Sequence, residues 1–169
     1  MKLRGRVHRF GDDVNTDYII PAQYKGASLD IQEIARHTFE DIDPDFVKRV
    51  QPGDVVVAGS NFGCGSSRET AAHVLKVVGV SCVLASSFAR IFFRNAINTG
   101  LPVAECHTTD IEAGDEVEVD LARGVVVDLT RGLKLAIVPL PAIMMAVLQE
   151  GGVVPYLKKH GDLVLPRGD

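Results

Sequence analysis

Residues 54–85 read DVVVAGSNFGCGSSRETAAHVLKVVGVSCVLA, and this stretch predicts the fold of the chain. Residues 54–59 predict a buried strand, because they form a short and nearly continuous apolar run. A polar, glycine-rich loop follows over residues 60–67. A helix is then expected over residues 68–78, and residues 81–85 predict a second buried strand.

The flanking segments extend this alternation of strands and helices. A second helix is expected over residues 88–98 and a third strand over residues 101–105, so the middle of the chain predicts a parallel sheet with right-handed crossovers. Residues 3–9 predict a first strand. Further strands in an antiparallel meander are expected at 116–120, 124–129 and 133–138, and further helices at 30–35, 44–50, 141–150 and 153–160. We therefore expect one α/β domain over residues 1–169.

The composition excludes several classes of protein. Of the 169 residues, 46% are apolar and 24% are charged, which is typical of a globular protein with a hydrophobic core. The net charge of −4 does not favour binding to nucleic acid, which requires a basic face. The sequence contains no run of about 18 apolar residues, so no membrane span is predicted. Residues 1–10 lack the apolar block of a secretory signal. We expect a cytoplasmic protein.

The three cysteines, Cys64, Cys82 and Cys106, are scattered along the sequence. They form no C-x-x-C pair, and the usual iron–sulfur cluster takes four thiolates. We therefore expect neither a metal site nor a cluster within this chain. Cys64 lies in the glycine-rich loop, but no histidine can be assigned to it as a base, so we interpret it as a packing residue.

The loop over residues 60–67 has the features of an anion-binding site. A helix start offers backbone N–H groups and partial positive charge, and Arg68 suits a carboxylate because its planar guanidinium can bind both oxygens. The loop is not a Walker A sequence and does not match the dinucleotide fingerprint. A structural alternative is that Ser66 and Glu69 form a capping box, in which Ser66 caps the helix. The two interpretations are compatible.

Three segments resemble signatures of the aconitase superfamily, in the same order along the chain. Residues 61–69 (NFGCGSSRE) resemble its serine–arginine loop, residues 13–22 (DVNTDYIIPA) its N-terminal signature, and residues 87–102 (SFARIFFRNAINTGLP) its arginine-containing helix. Residues 151–157 (GGVVPYL) match the ending of its small subunits. The likeness covers nearly the whole chain, and at this length it points to the small subunits of 3-isopropylmalate dehydratases.

The resemblance implies a fold, an activity and a partner. The fold would be a three-layer β/β/α swivelling domain of aconitase type. The activity would be that of a hydro-lyase acting on a di- or tricarboxylate, with the conversion of 2-isopropylmalate to 3-isopropylmalate in leucine biosynthesis as the first expectation. A large subunit would carry a [4Fe–4S] cluster as Lewis acid. This chain would be active only when assembled with that subunit, as a heterodimer or heterotetramer.

The resemblance also implies roles for individual residues. Ser66 matches the serine that removes a proton from carbon, and Ser67 and Arg68 match residues that hold the carboxylate of the substrate. Asp17, with Thr16 beside it, matches an aspartate that supports the site.

Two positions depart from the family pattern. Thr70 stands where a histidine usually follows Ser-Ser-Arg-Glu. The segment that selects the substrate usually reads Y-L-V in isopropylmalate enzymes or Y-L-R in homoaconitate enzymes, whereas residues 24–28 are YKGAS. Lys25 is therefore expected either to bind a third substrate carboxylate or to be a solvated surface charge.

Several alternatives stay open at this point. Homoaconitate and methyl- or dimethylmalate are alternative substrates, and a non-enzymatic anion-binding or regulatory module is an alternative of a different class. Arg90 and Arg94 lie four residues apart on the predicted helix over residues 88–98. We interpret these two arginines as a solvated or partner-facing stripe rather than a phosphate clamp.

Overall fold

The computed structural model describes residues 1–24 and 30–164, and within them the strands form one seven-stranded sheet. The strands are β1 (Lys2–Arg9), β2 (Val55–Ala58), β3 (Cys82–Ala85), β4 (Val103–Glu105), β5 (Glu116–Asp120), β6 (Val125–Asp128) and β7 (Leu133–Ala136). The helices are α1 (Thr16–Ile19), α2 (Ile31–Ala35), α3 (Phe46–Arg49), α4 (Glu69–Val77), α5 (Arg90–Thr99), α6 (Ala142–Gln149) and α7 (Val153–His160). A 3-10 turn spans Ala22–Tyr24.

The sheet has a parallel half and an antiparallel half that are joined by β1. Its strand order is β4-β3-β2-β1-β5-β6-β7. The strands β1 to β4 run parallel, and β5 to β7 form the expected antiparallel meander. β1 divides its length between two partners, since residues 2–6 pair with β5 and residues 7–9 pair with β2. The strand–helix alternation predicted for the middle of the chain is therefore confirmed.

The sheet curls until its two edge strands meet. An antiparallel bridge joins Cys106, just after β4, to Ile137, just after β7. Beside this bridge, the N–H of Val138 donates to the carbonyl oxygen of Glu105 at 2.9 Å. We call this contact between the two edges the seam. On the outside, α4 packs against α2 and α5, and α5 packs against α6 and α7. The curled sheet and the helical layer form the expected β/β/α arrangement.

Burial explains the sequence pattern of the central elements. Every residue of β2 and β3 is buried, so both strands read as continuous apolar runs instead of alternating ones. On α5, Phe92, Ala96 and Ile97 face the core, while Arg90 and Arg94 are exposed. No helix within the described residues is long and apolar enough to cross a membrane.

One element that positions the site does not appear in the apolar pattern. Residues 16–19 form the single helical turn α1, and its N-cap is Asn15. The Asn15 side chain accepts a hydrogen bond from the N–H of Asp17 at 2.8 Å. This cap gives a physical reason for the Asn-Thr-Asp order in the N-terminal signature, because a short polar side chain is needed to start the turn.

Candidate active site

The candidate site forms where α1 lies against the loop between β2 and α4. Both segments follow the carboxyl ends of neighbouring parallel strands, the edge of the sheet at which α/β proteins commonly bind ligands. Thr16 joins them, since its N–H donates to the carbonyl oxygen of Cys64 at 2.8 Å and its hydroxyl donates to that of Ser66 at 2.9 Å. The N–H of Gly63 donates to the carbonyl oxygen of Val14 at 2.8 Å. Two sequence signatures that are distant along the chain therefore form one site.

Close contacts and positive φ angles require glycine at two positions of this loop. Gly63 and Gly65 have φ angles of 79° and 90°, a region that other residues rarely adopt. A Cβ on Gly63 would lie 2.2 Å from Cγ of Phe92, and a Cβ on Gly65 would lie 2.5 Å from Oδ1 of Asn15. The loop is thus held between α5 and the N-cap of α1.

The guanidinium of Arg68 is fixed by the protein, and the Arg68 side chain is 9% exposed. Its Nη1 donates to the carbonyl oxygen of Ile20 at 3.0 Å, and its Nη2 forms an ion pair with Oδ1 of Asp17, without the alignment of a hydrogen bond. The Nε of Arg68 is buried and has no hydrogen-bond partner among residues 1–24 and 30–164. An unpaired buried donor is costly, so this N–H is suited to an acceptor that comes from outside.

Ser66 and Ser67 are exposed at the start of α4. Their backbone N–H groups donate to no acceptor in the described part of the chain. The N-terminus of α4 adds partial positive charge at the same place. The structure therefore brings Thr16, Asp17, Ser66, Ser67 and Arg68 together around donors that are available to an anion.

The capping role of Ser66 is wrong. The N-cap of α4 is Arg68, which is extended at φ −138°, and no side chain caps the helix. The hydrogen bond from Thr16 to the carbonyl oxygen of Ser66 holds the loop toward α1. The helix begins two residues later than a capping box requires, and within the described residues the Ser66 hydroxyl caps no helix.

The thiol of Cys64 does not have the character of a nucleophile. Burial raises its pKa, and the nearby carboxylate of Asp13 raises the pKa further. A thiol of this kind is protonated at neutral pH and reacts poorly. The backbone carbonyl of Cys64 has the structural role, because it accepts from Thr16. These observations support the interpretation of Cys64 as a packing residue.

A further pair at the site was not found from the sequence. Asp13 and Asn61 both adopt left-handed backbone conformations, with φ of 53° and 59°. Nδ2 of Asn61 donates to Oδ1 of Asp13 at 2.8 Å, which ties the two turns together. The only signal available was the residue type, since Asn and Asp tolerate this conformation better than most residues.

Lys25 lies outside the described residues, and its role in substrate selection stays a prediction. The residue before it, Tyr24, stacks on His37 with ring centroids 4.0 Å apart. Nδ1 of His37 lies 2.5 Å from Oε2 of Glu40 in a hydrogen bond. Thr70, at the position where the family usually has histidine, lies half-buried in the first turn of α4.

Comparison with known proteins places this arrangement in a family. The family described as aconitase C-terminal domain matches residues 23–105. The 3-isopropylmalate dehydratase small subunit 2 of Archaeoglobus fulgidus is 54% identical over 163 residues, which cover 96% of this chain and 99% of the relative. Small subunit 1 of the same enzyme from Thermotoga maritima is 52% identical over 160 residues, covering 94% of this chain and 96% of the relative.

A solved structure confirms the expected fold. The crystal structure of 3-isopropylmalate dehydratase from Methanocaldococcus jannaschii superposes with a TM-score of 0.91 at 46% identity. The match covers 95% of this chain and 96% of that one. Since both the sequence and the fold match over nearly full length, this chain belongs to the family of 3-isopropylmalate dehydratase small subunits, within the aconitase superfamily.

Proposed function

We propose that this chain is the small subunit of a two-subunit hydro-lyase that converts 2-isopropylmalate to 3-isopropylmalate in leucine biosynthesis, in the cytoplasm. The printed names of its relatives support this assignment. The observation that carries the proposal is the buried Nε–H of Arg68, which lies beside the exposed Ser66 and Ser67 and has no hydrogen-bond partner in the described part of the chain. Such an arrangement suits a carboxylate substrate.

In this proposal Arg68 and Ser67 hold a carboxylate of the substrate. The Ile20 carbonyl and Asp17 fix the guanidinium plane before substrate arrives, so little ordering remains to be done on binding. Thr16 does not contact the substrate in this proposal. It donates a hydrogen bond to the carbonyl oxygen of Ser66 and thereby positions the serine.

Ser66 is proposed to remove the proton from carbon. An alkoxide needs strong stabilisation, and the unpaired backbone N–H groups, the start of α4 and the guanidinium of Arg68 are the donors at hand. These donors act more strongly once water is excluded. Because Ser66 is exposed in this chain, we assign the exclusion of water to a second subunit.

We further propose that a large subunit completes the site, in a heterodimer or heterotetramer, and that it binds the [4Fe–4S] cluster. This chain's own residues do not fit a cluster. Cys82 and Cys106 are buried, and among residues 1–24 and 30–164 no three His, Cys, Asp or Glu side chains come together in a way that could hold a metal ion. The part assigned to this chain is proton transfer and carboxylate binding.

The test is Ser66→Ala in the enzyme reconstituted with its large subunit. We expect kcat to fall by about three orders of magnitude or more, as for the loss of other catalytic bases. The free energy of unfolding should change by less than about 0.5 kcal/mol, since the Ser66 hydroxyl caps no helix.

Ser60→Ala is the matched control, because Ser60 is an exposed serine of the same loop. Its turnover should equal that of the unchanged enzyme. Near-normal turnover of Ser66→Ala would contradict the role of the serine as base. A stable complex of the two subunits without turnover on any substituted malate would instead favour a non-enzymatic anion-binding or regulatory module.

A further inference from the structure

A groove of about 340 Å³ lies along the seam, next to the candidate site. Its floor is apolar and half-buried, and it is formed by Phe88, Phe93, Leu140 and Met144. Val138 stands at its rim and is 58% exposed. Half-exposed apolar side chains that line a concave surface are typical of a place where another molecule is bound.

Two arginines give the groove a charge that the chain itself does not balance. Arg90 and Arg94 line it and are exposed. Neither takes part in an ion pair within the described residues, although other arginines, such as Arg4 and Arg49, do, and Arg6, Arg9, Arg36 and Arg123 share this lack of an ion pair. The carboxylate of Glu105 also lines the groove and accepts a hydrogen bond from the N–H of Phe88 at 3.3 Å. It offsets one of the two positive charges, so the lining residues keep an excess of one. On a chain of net charge −4, this local excess of positive charge suits an acidic partner.

The groove is continuous with the loop between β2 and α4, which carries Ser66. Phe88, in the floor of the groove, forms a parallel bridge with Phe62 of the loop, and the N–H of Ala89 donates to the carbonyl oxygen of Phe62 at 2.9 Å. Phe62 packs edge-on against Phe92, with centroids 5.1 Å apart, and Phe92 is also the residue that Gly63 abuts. A protein bound in the groove would therefore lie beside the residues that support Ser66.

We infer that the groove is a docking site for the large subunit, which inserts a segment with apolar side chains and at least one carboxylate that pairs with Arg90 or Arg94. This inference rests on the function proposed above, which requires such a subunit to cover Ser66. Apolar contact in the centre with arginine at the edge is a common composition for protein interfaces.

The test compares two substitutions of equal chemistry and equal exposure. Val138 and Val154 are both 58% exposed, but only Val138 lines the groove. Val138→Asp should raise the Kd for the purified large subunit at least tenfold in isothermal titration calorimetry, because it places a carboxylate in the apolar contact. Val154→Asp, on α7, should leave the Kd within about twofold of the unchanged chain.

A second pair of variants tests the charge. Arg90→Glu with Arg94→Glu should weaken assembly at least tenfold and remove much of its salt dependence. Lys134→Glu with Lys158→Glu makes the same change of charge at two exposed positions outside the groove and should have little effect. In each groove variant, kcat at saturating large subunit should be retained, because the residues around Ser66 are unchanged.

Equal Kd values for Val138→Asp and Val154→Asp would overturn the inference and leave the proposed function intact. So would a dimer of the isolated chain that Val138→Asp abolishes, since the groove would then belong to a second copy. An assembled complex that does not turn over isopropylmalate would count against the proposed function alone. Failure of the unchanged chain to bind the large subunit would overturn both.

Discussion

Lys25 is the residue that we expect to bear most directly on the choice of substrate. The family resemblance puts the selecting segment at residues 24–28, and a lysine there offers a positive charge to a third carboxylate. Lys25→Leu should then lower kcat/KM for a tricarboxylate such as homoaconitate by roughly ten- to a hundredfold, the worth of a charge-assisted hydrogen bond. Isopropylmalate, whose alkyl group needs no charged partner, should be affected less.

The measurement is steady-state kinetics on both substrates with the large subunit present. Equal losses on the two would show that Lys25 does not discriminate between them, and no change on either would make it a solvated charge. A large preference for the tricarboxylate in the unchanged enzyme would make homoaconitate the leading substrate in place of isopropylmalate.

One of the packing contacts that hold the loop between β2 and α4 can be tested by itself. Gly63 and Gly132 both have positive φ, at 79° and 69°, so alanine is strained at each by about 1–2 kcal/mol. A Cβ on Gly63 would also meet the ring of Phe92, whereas one on Gly132 would meet nothing within 4 Å. Gly63→Ala should therefore cost about 1–3 kcal/mol more than Gly132→Ala.

Urea denaturation of the two variants measures that difference. Similar losses in the free energy of unfolding would mean that Phe92 moves aside at no cost. We also expect Gly63→Ala to lower turnover in the assembled enzyme, because the loop carries Ser66, while Gly132→Ala should leave kcat unchanged.

The sequence predicted elements well wherever burial was uniform. β2 and β3 are continuous apolar runs because both of their faces are covered, and α5 carries a clear apolar stripe. The start of α4 was predicted within one residue, but the capping box at Ser66 was wrong. The hydrogen bond from Thr16, distant in the sequence, to the carbonyl oxygen of Ser66 was not foreseen. For the same reason the Ile20 carbonyl was not foreseen as a partner of Arg68. Local patterns carry no information on such contacts, so the roles of the site residues came from the family resemblance.

At the scale of the whole molecule, one buried carboxylate makes the free energy of unfolding depend on pH in the acid range. Asp54 accepts hydrogen bonds from Nε2 of His8 at 2.7 Å, from the N–H of Gln51 at 2.9 Å and from the N–H of Arg6 at 3.2 Å. Burial raises the pKa of Asp54, but these bonds outweigh it, and the pKa lies below the usual value. The stabilisation is therefore present above the unfolded pKa of about 3.9 and is lost as the pH falls through the lower folded pKa.

Asp54→Asn should cost about 1–3 kcal/mol of unfolding free energy at pH 7. The difference in unfolding free energy between this variant and the unchanged chain should shrink below about pH 4, because the unchanged chain loses the same stabilisation there. Asp45→Asn, which breaks an exposed pair with Lys48, should leave the stability nearly unchanged, because exposed ion pairs contribute little. Denaturation curves of both variants at several pH values provide the measurement, and an Asp54→Asn deficit that persists unchanged at low pH would show that the carboxylate charge is not its source.

The split pairing of β1 sets an order of events during synthesis. Residues 7–9 can pair with β2 soon after it is synthesised. Residues 2–6 can pair only after β5 has been synthesised, on the order of ten seconds later. Until then this part of β1 is an unpaired edge, and it carries a charged side chain at every second position, on Lys2, Arg4 and Arg6. Such charges discourage pairing with other chains. The loop between β2 and α4 can thus take shape on the nascent chain, whereas the groove needs Val138 and Met144 and forms later. A nascent chain that still lacks Val138 and Met144 would accordingly lack the groove and could not use it to bind a partner.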